Sequence, residues 1–489
     1  MIATEKLNTI SPNHKSKQPT VFMLSIIVSV FERFGFYILA DSLVLYLEKS
    51  FGFLDHEANI FYSTLNALTY SAPAIGGYLA DNVLGIRRSI VLGLFLEGLG
   101  QICLVFSDKA FLYLGIALVV TGVGFFKTAP TNLMARAYEE NDPRIDSGYT
   151  LFYMAINMGS ALSAILAGFL QKSYGWHMIF LVASIGTYIG LLFYFIFKWR
   201  AHNLDVALSF KKLALSKILI VSLSVIVAVL AIAFLMYKTI FAQITFYVIA
   251  ACLVSYLAYE IYKSSREERR KIIAAFLLIL VGMVFFMMYF QRYTSVLLFM
   301  DRVVDRSLFG VNVPSIAMLA LNPLWIIFWS PILVLIYNNL HKKKKDLSIT
   351  TKFPLGLLII SLTFISLKVS TFFVDGNNKI SFIWIVLAFG LYSLGELLIS
   401  ALGVAMVARI APKRMYGVMM GAWYLLASSI GCVLGGYAAN FADIPKNLTD
   451  PAMIIQIYGR TFFVIGIMGL LITFIAFIAG SHIKRIADL

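Results

Sequence analysis

Ser29-Val-Phe-Glu32-Arg33-Phe34-Gly-Phe36-Tyr37 stands inside an apolar stretch, Val21 to Leu47, long enough to cross a bilayer as one helix. A charged side chain at the bilayer centre costs about 2.5–3.5 kcal/mol on insertion scales, so two adjacent ones need a use there. At helical spacing Ser29, Glu32, Arg33, Phe36 and Tyr37 share a face, and Asp41 continues the row from Arg33 through Tyr37. The stretch reads as a polar stripe turned toward a watered cavity inside a helix bundle. The plainer use of Glu32 and Arg33 is to tie helices together.

The rest of the chain agrees with that setting. It is 60% hydrophobic and 13% charged, with a mean hydropathy of +0.85, whereas a soluble domain carries about 25% charged residues. The fold class is an all-α polytopic membrane protein with fourteen apolar spans, the first at 21–47 and the last at 455–481. The net charge of +15 could suggest nucleic acid. Lys and Arg instead collect on the side of the Lys-bearing head, as in Arg266-Glu-Glu-Arg269-Arg270-Lys271 and Lys342 to Lys345. That is the bias of inward-facing loops, and it puts both termini in the cytosol. Anionic lipid headgroups are the expected partners of those runs, and nucleic acid is not.

Cys103, Cys252 and Cys432 all fall within apolar spans, which predicts no disulfide framework and no metal site. His56-Glu57 is not spaced as HExxH and no GxSxG is present, so an enzyme is not expected.

Other intramembrane polar residues follow in order. Span 2 ends in Gly76-Gly-Tyr78-Leu-Ala-Asp81-Asn-Val-Leu84-Gly85-Ile-Arg87-Arg88, which resembles the span 2–3 loop signature of the major facilitator superfamily. Lys127 follows Gly122-Val-Gly124-Phe-Phe within a span and must face an acid, a cavity or a ligand; Glu32 is the expected acid. Span 5 carries Phe152-Tyr153-Met-Ala-Ile156-Asn157-Met-Gly159-Ser160, span 8 carries Leu321-Asn322-Pro323, and span 10 carries Leu394-Gly395-Glu396 between Ser393 and Ser400. Buried amides such as Asn157 and Asn322 need a helix neighbour or a ligand. Trp423, in span 11, reads as a cavity wall or as aromatic packing.

Together these motifs, from Glu32-Arg33-Phe34 through Trp423, resemble the proton-dependent oligopeptide transporter family. The resemblance implies a major facilitator fold, divided here as a cytosolic tail (1–20), a six-helix bundle (21–198), a linker with two extra transmembrane helices (199–271), and a second six-helix bundle with a short tail (272–489). It implies secondary active transport of di- and tripeptides by alternating access. No cofactor is implied beyond the proton as coupling ion. The expected transporting unit is a monomer in a bacterial inner membrane.

The charge layout points the same way. Arg33 and Lys127 in the first half and Glu396 in the second suit the two ends of a zwitterion. Asn157 and Asn322 would bond its polar groups, and Tyr37, Tyr70 and Trp423 would form tolerant walls. Glu32, Arg33 and Lys127 are the expected coupling residues. The chain departs from the family at Ser29 and Phe290, where the family has acids, at Phe36, where it has Tyr, and at Ala40, where it has an outer-gate Arg. Asp41 and Arg292 are expected to replace the lost gate pair with reversed polarity. The alternatives are a facilitator or exchanger of another small zwitterion or organic acid, and a receptor without transport.

Overall fold

The computed structural model describes residues 18–138, 142, 144–199, 214–308, 310–345 and 347–487. Most of the expected tail and of the charged linker at 200–213 lies outside the described residues.

Thirteen helical stretches among the described residues are long and apolar enough to cross a membrane. A further helix, Asp55–Leu79, has the length but is more polar, burying Asn59, Ser63, Thr64, Asn66 and Thr69. Numbered in chain order, the first half comprises α1 (Thr20–Phe51), α2 (Asp55–Leu79), α3 (Ile86–Val105), α4 (Lys109–Phe126), α5 (Ile145–Tyr174) and α6 (Trp176–Phe197). A hairpin follows, α7 (Leu215–Tyr237) and α8 (Thr239–Lys263). The second half comprises α9 (Arg266–Tyr289), α10 (Leu321–Lys342), α11 (Ile349–Ser370), α12 (Phe382–Ile410), α13 and α14 (Pro451–Ala487). Helix α13 runs as three segments, Tyr416–Ala422, the π-helical Trp423–Ile430, and Gly431–Ala439.

In the first bundle α1 packs on α5 and α6, and α3 on α4 and α6; in the second, α9 packs on α11 through α14. The hairpin spans both, α7 lying on α4 and α8 on α9, α13 and α2. Its outward face is long-chain apolar, with Leu219, Leu223, Leu230 and Val248 exposed, as lipid contact requires. Arg414 clasps it to the second half through Glu260 (2.5 Å) and Ser264 (2.7 Å).

The two halves meet where α2 crosses α13 and where α5 meets α10 and the short helix Ser315–Met318. Glycines set the closeness of approach: Gly436 of α13 backs onto Ser63 and Asn59 of α2 with no room for a Cβ, and a Cβ at Gly168 of α5 would meet the backbone of Ala317 at 2.7 Å. Both crossings lie toward the end of the bundle away from the chain termini. That far end is tied further by ion pairs and a His–Asp hydrogen bond. Arg302 holds Asp55 with two bonds (2.6 and 2.7 Å) and Glu48 (2.9 Å), Lys49 holds Asp301 (2.7 Å), and His56 meets Asp443 (2.9 Å).

Toward the termini the interface parts. Ser71 of α2 touches Ser429 of α13 at 3.0 Å. Further along the same face, Ile75 is 71% and Tyr78 66% exposed, and Gly417 and Gly421 of α13 have open space beside them.

Candidate functional site

A small cavity of about 30 Å³ lies between the halves, at the level where the far-end seal begins. From the first half it takes Arg33, Phe36, Tyr37 and Ala40 of α1, Tyr62, Asn66, Thr69 and Tyr70 of α2, and Lys127. From the second it takes Tyr289, Phe290 and Tyr293.

Local breaks in the helices present these residues. Helix α4 stops at Phe126 because Pro130, four residues on, would clash with the Phe126 carbonyl and lacks an N–H for it. Lys127 therefore stands at a turn between α4 and the short helix Ala129–Ala135, rather than in mid-helix. Helix α9 tightens into a 3₁₀ turn over Phe290–Tyr293, pinned by Gln291, whose Nε2 donates to the Gly435 carbonyl (2.7 Å). That turn points Tyr289, Phe290 and Tyr293 at the cavity in sequence.

The α1 stripe divides. Arg33, Phe36, Tyr37 and Ala40 face the cavity, but Glu32 is buried at 1% exposure and lies behind Arg33. Its carboxylate takes one N–H each from Nε and Nη2 of Arg33, a bidentate pair that leaves three N–H donors, two on Nη1 and one on Nη2. Glu32 thus pairs with its neighbour, not with Lys127 as expected. The Lys127 ammonium makes no hydrogen bond or ion pair among the described residues; Nζ sits 4.1 Å from the centroid of the Tyr70 ring.

Glu396 stands apart from the cavity. It is 6% exposed and accepts bonds from Asn322 Nδ2 (2.8 Å) and the Tyr289 hydroxyl (3.2 Å), with Arg292 Nη1 at 4.0 Å. Asn322 also accepts from Arg292 Nη1 and donates to Ser393 Oγ (2.9 Å). The helix is interrupted at Leu319–Ala320, where Pro323 offers no N–H to the Leu319 carbonyl, and Asn322 stands in the first turn of α10. Among the described residues, Tyr289 is the one that both lines the cavity and bonds Glu396.

Several expected site residues are placed elsewhere. Asn157 donates to the Tyr153 carbonyl of its own helix (2.8 Å) and does not line the cavity. Trp423 is 2% exposed and packs on Gly282, Gly403, Phe286 and Phe353, so the packing reading holds. Asp41 and Arg292 form no gate pair: no hydrogen bond or ion pair joins them, and Arg292 is committed to Asn322 and Tyr293. The far-end closure is held instead by Arg302 with Asp55 and Glu48. The sequence reading missed Tyr62, Asn66, Thr69, Tyr289 and Tyr293; the polar face of α2 at helical spacing was the available signal. It also missed Glu97 of α3, an acid inside an apolar span and fully buried.

The pattern that defines the POT family matches residues 87–460. The chain belongs to the POT family. It is 35% identical over 475 residues, 96% of this chain and 94% of the relative, to dipeptide and tripeptide permease A of Escherichia coli K12. It is 33% identical to dipeptide and tripeptide permease B of Salmonella typhimurium, over 99% of both chains. Among solved structures, tetrameric PepTSo2 superposes with a TM-score of 0.87 at 30% identity, covering 96% of this chain and all of that one. A bacterial homologue of the human drug peptide transporters PepT1 and PepT2 gives 0.85 at 30% identity, covering 95% of this chain and 98% of that one. Membership makes this POT protein an integral membrane transporter of the major facilitator fold, with the hairpin inserted between two six-helix bundles. It is not an enzyme.

Proposed function

We propose that the protein carries di- and tripeptides across a bacterial inner membrane by alternating access, linked to protons, with both termini cytosolic. The observation that carries this reading is Lys127. An ammonium with three donors and no acceptor, beside the free donors of Arg33, calls for an anionic guest in the cavity. The terminal carboxylate of a short peptide supplies one. Tyr37, Tyr62, Tyr70, Tyr289 and Tyr293 offer aromatic walls with hydroxyl tips, tolerant of varied side chains.

With the termini in the cytosol, the sealed far end faces outward and the parted end faces inward. The conformation is then the releasing one. The peptide ammonium would be received by Glu396 once Tyr289 swings aside, which couples occupation of the site to a movement of α9 against α12. Beyond α9 and its 3₁₀ turn the chain runs on as the short helix Ser295–Val303, which carries Arg302, so a guest drawing on Tyr289 acts next to the segment that holds the outer seal. The cavity is lined by one chain, and we take the monomer as the transporting unit.

A second reading has a specific observation behind it. The cavity wall holds two cations and no acid, because Glu396 lies behind Tyr289. Two cations with no facing acid suit a small organic acid, which brings no ammonium that needs Glu396. Uptake of labelled dialanine by purified protein in vesicles, competed by a panel of dipeptides, tripeptides, amino acids and amine-free acids, separates the two. Competition by di- and tripeptides well above that by amine-free acids is expected. The reverse ranking would overturn the peptide reading.

A further inference from the structure

Glu97 on α3 is the sharpest anomaly in the molecule. It is 0% exposed, and neither carboxyl oxygen receives a hydrogen bond. Burying an acid with no donor costs more than burying almost any other group, unless a proton accompanies it.

The surroundings show why no donor reaches it. From α4 the facing position is Gly122, where a Cβ would fall 2.8 Å from the Glu97 backbone nitrogen and 3.1 Å from its Cβ. A helix crosses there as bare backbone, so no α4 side chain enters. From α6, Ser184 donates to the Gly98 carbonyl (3.0 Å), and Thr187 to the Gln101 side-chain oxygen (2.8 Å) and the Ala183 carbonyl (3.1 Å). Gln101, one turn along α3, keeps its Nε2 buried and without a partner. From α1, Gly35 closes over that amide, a Cβ there meeting Nε2 at 2.8 Å.

What α1 does bring to Glu97 is another acid. Glu97 lies within hydrogen-bonding reach of the Glu32 carboxyl and within the field of Arg33. Lys127 is the other cation near Glu32 and Arg33. Arg33 is already spent on Glu32 through two of its nitrogens. Two carboxylates are acceptors only, and neither can bond the other. One proton between them changes that, because a neutral carboxyl donates.

We propose that Glu97 and Glu32 form an acid pair that shares one transported proton, and that Glu97 is a coupling residue of this transporter. The inference rests on the proton-linked reading given above. The proton arrives from the outer solution and sits between Glu97 and Glu32. Glu32 then holds Arg33 less strongly, and a peptide carboxylate can claim the guanidinium. When the peptide leaves inward, Arg33 returns to Glu32 while Glu97 still carries the proton, the arrangement seen here; loss of that proton to the inner solution completes the cycle. No bond other than O–H forms or breaks.

The test uses full-length protein in vesicles, with labelled dialanine as probe. Two rates are read: uptake driven by an imposed pH gradient, and exchange against internal dialanine without a gradient. For Glu97→Gln the ratio of driven uptake to exchange is expected to fall about tenfold relative to the native chain. A ratio unchanged from native would overturn the role of Glu97. A native chain whose own uptake ignores the gradient would overturn proton linkage itself, which is a separate failure visible before any substitution is made. Should Glu97→Gln yield no folded protein, Glu97→Asp keeps the carboxyl and moves it back by one methylene. The pH midpoint of exchange is then expected to shift, and an unmoved midpoint would again overturn the proposal.

Discussion

The two halves hold their buried charges in opposite ways. In the second, Arg292, Asn322, Glu396, Ser393, Tyr289 and Tyr293 satisfy one another, and only the Nε of Arg292 is left over. In the first, Lys127 has no acceptor among the described residues and Arg33 keeps three N–H donors in hand, both at the edge of the same cavity. A satisfied network rigidifies a bundle, because removing one member strands the rest. An unsatisfied cation is a standing cost that only a guest relieves. Charges already spent should matter to stability, and charges kept unspent to transport.

Lys127→Ala puts the greatest weight on that distinction. Losing one member of a desolvated ion pair costs about 2–5 kcal/mol of binding, so uptake of labelled dipeptide should fall by about a thousandfold. The melting temperature in detergent should stay level or rise, because the side chain forms no bond that the fold depends on. A melting temperature lowered as far as transport would show Lys127 to be a structural strut and erase the contrast.

Arg292→Met reverses the expectation. It leaves Glu396 with hydrogen bonds but no cation, and it frees Tyr293 and Asn322. Breaking a buried pair from one side costs about 3–5 kcal/mol. The 4.0 Å separation from Glu396 argues for the lower end, about 3 kcal/mol. Thermal or denaturant unfolding in detergent measures it. A loss of uptake with no loss of stability would move Arg292 to the functional side.

This division also marks how far the sequence could be read. Span number and order followed from apolar length, since a bilayer leaves few alternatives for a backbone that must satisfy itself. Even α2, more polar than the other membrane helices, was placed by its length. Arg33, Lys127, Tyr37 and Tyr70 were legible because a cation or a hydroxyl ring in an apolar run needs a cavity. What was not legible depended on rotation and on helix breaks. Glu32 and Arg33 are adjacent, about 100° apart on the helix, and only packing decides that one turns to the cavity and the other toward α3. Trp423 looked like a wall because nothing in the sequence shows that Gly282 and Gly403 form its seat. Asp41 and Arg292 were matched by sign alone. The 3₁₀ turn at Phe290–Tyr293 then swung Arg292 toward Asn322.

Glu396→Gln gives the smallest of the three effects and sharpens the comparison most. The amide keeps the shape of the carboxylate, and its oxygen can still accept from Asn322 or Tyr289, so stability should change by less than about 1 kcal/mol. Transport should separate by ligand. A guest with a free ammonium loses a charge-assisted bond and should fall about tenfold, while an amine-free acid held by Arg33 and Lys127 should be untouched. Competition of labelled dialanine by paired ligands, with and without the amino group, reads the difference directly. Equal losses for both would mean that Glu396 acts only through Tyr289 and Asn322. The second half would then contribute a frame, and recognition would lie wholly with the unspent cations of the first.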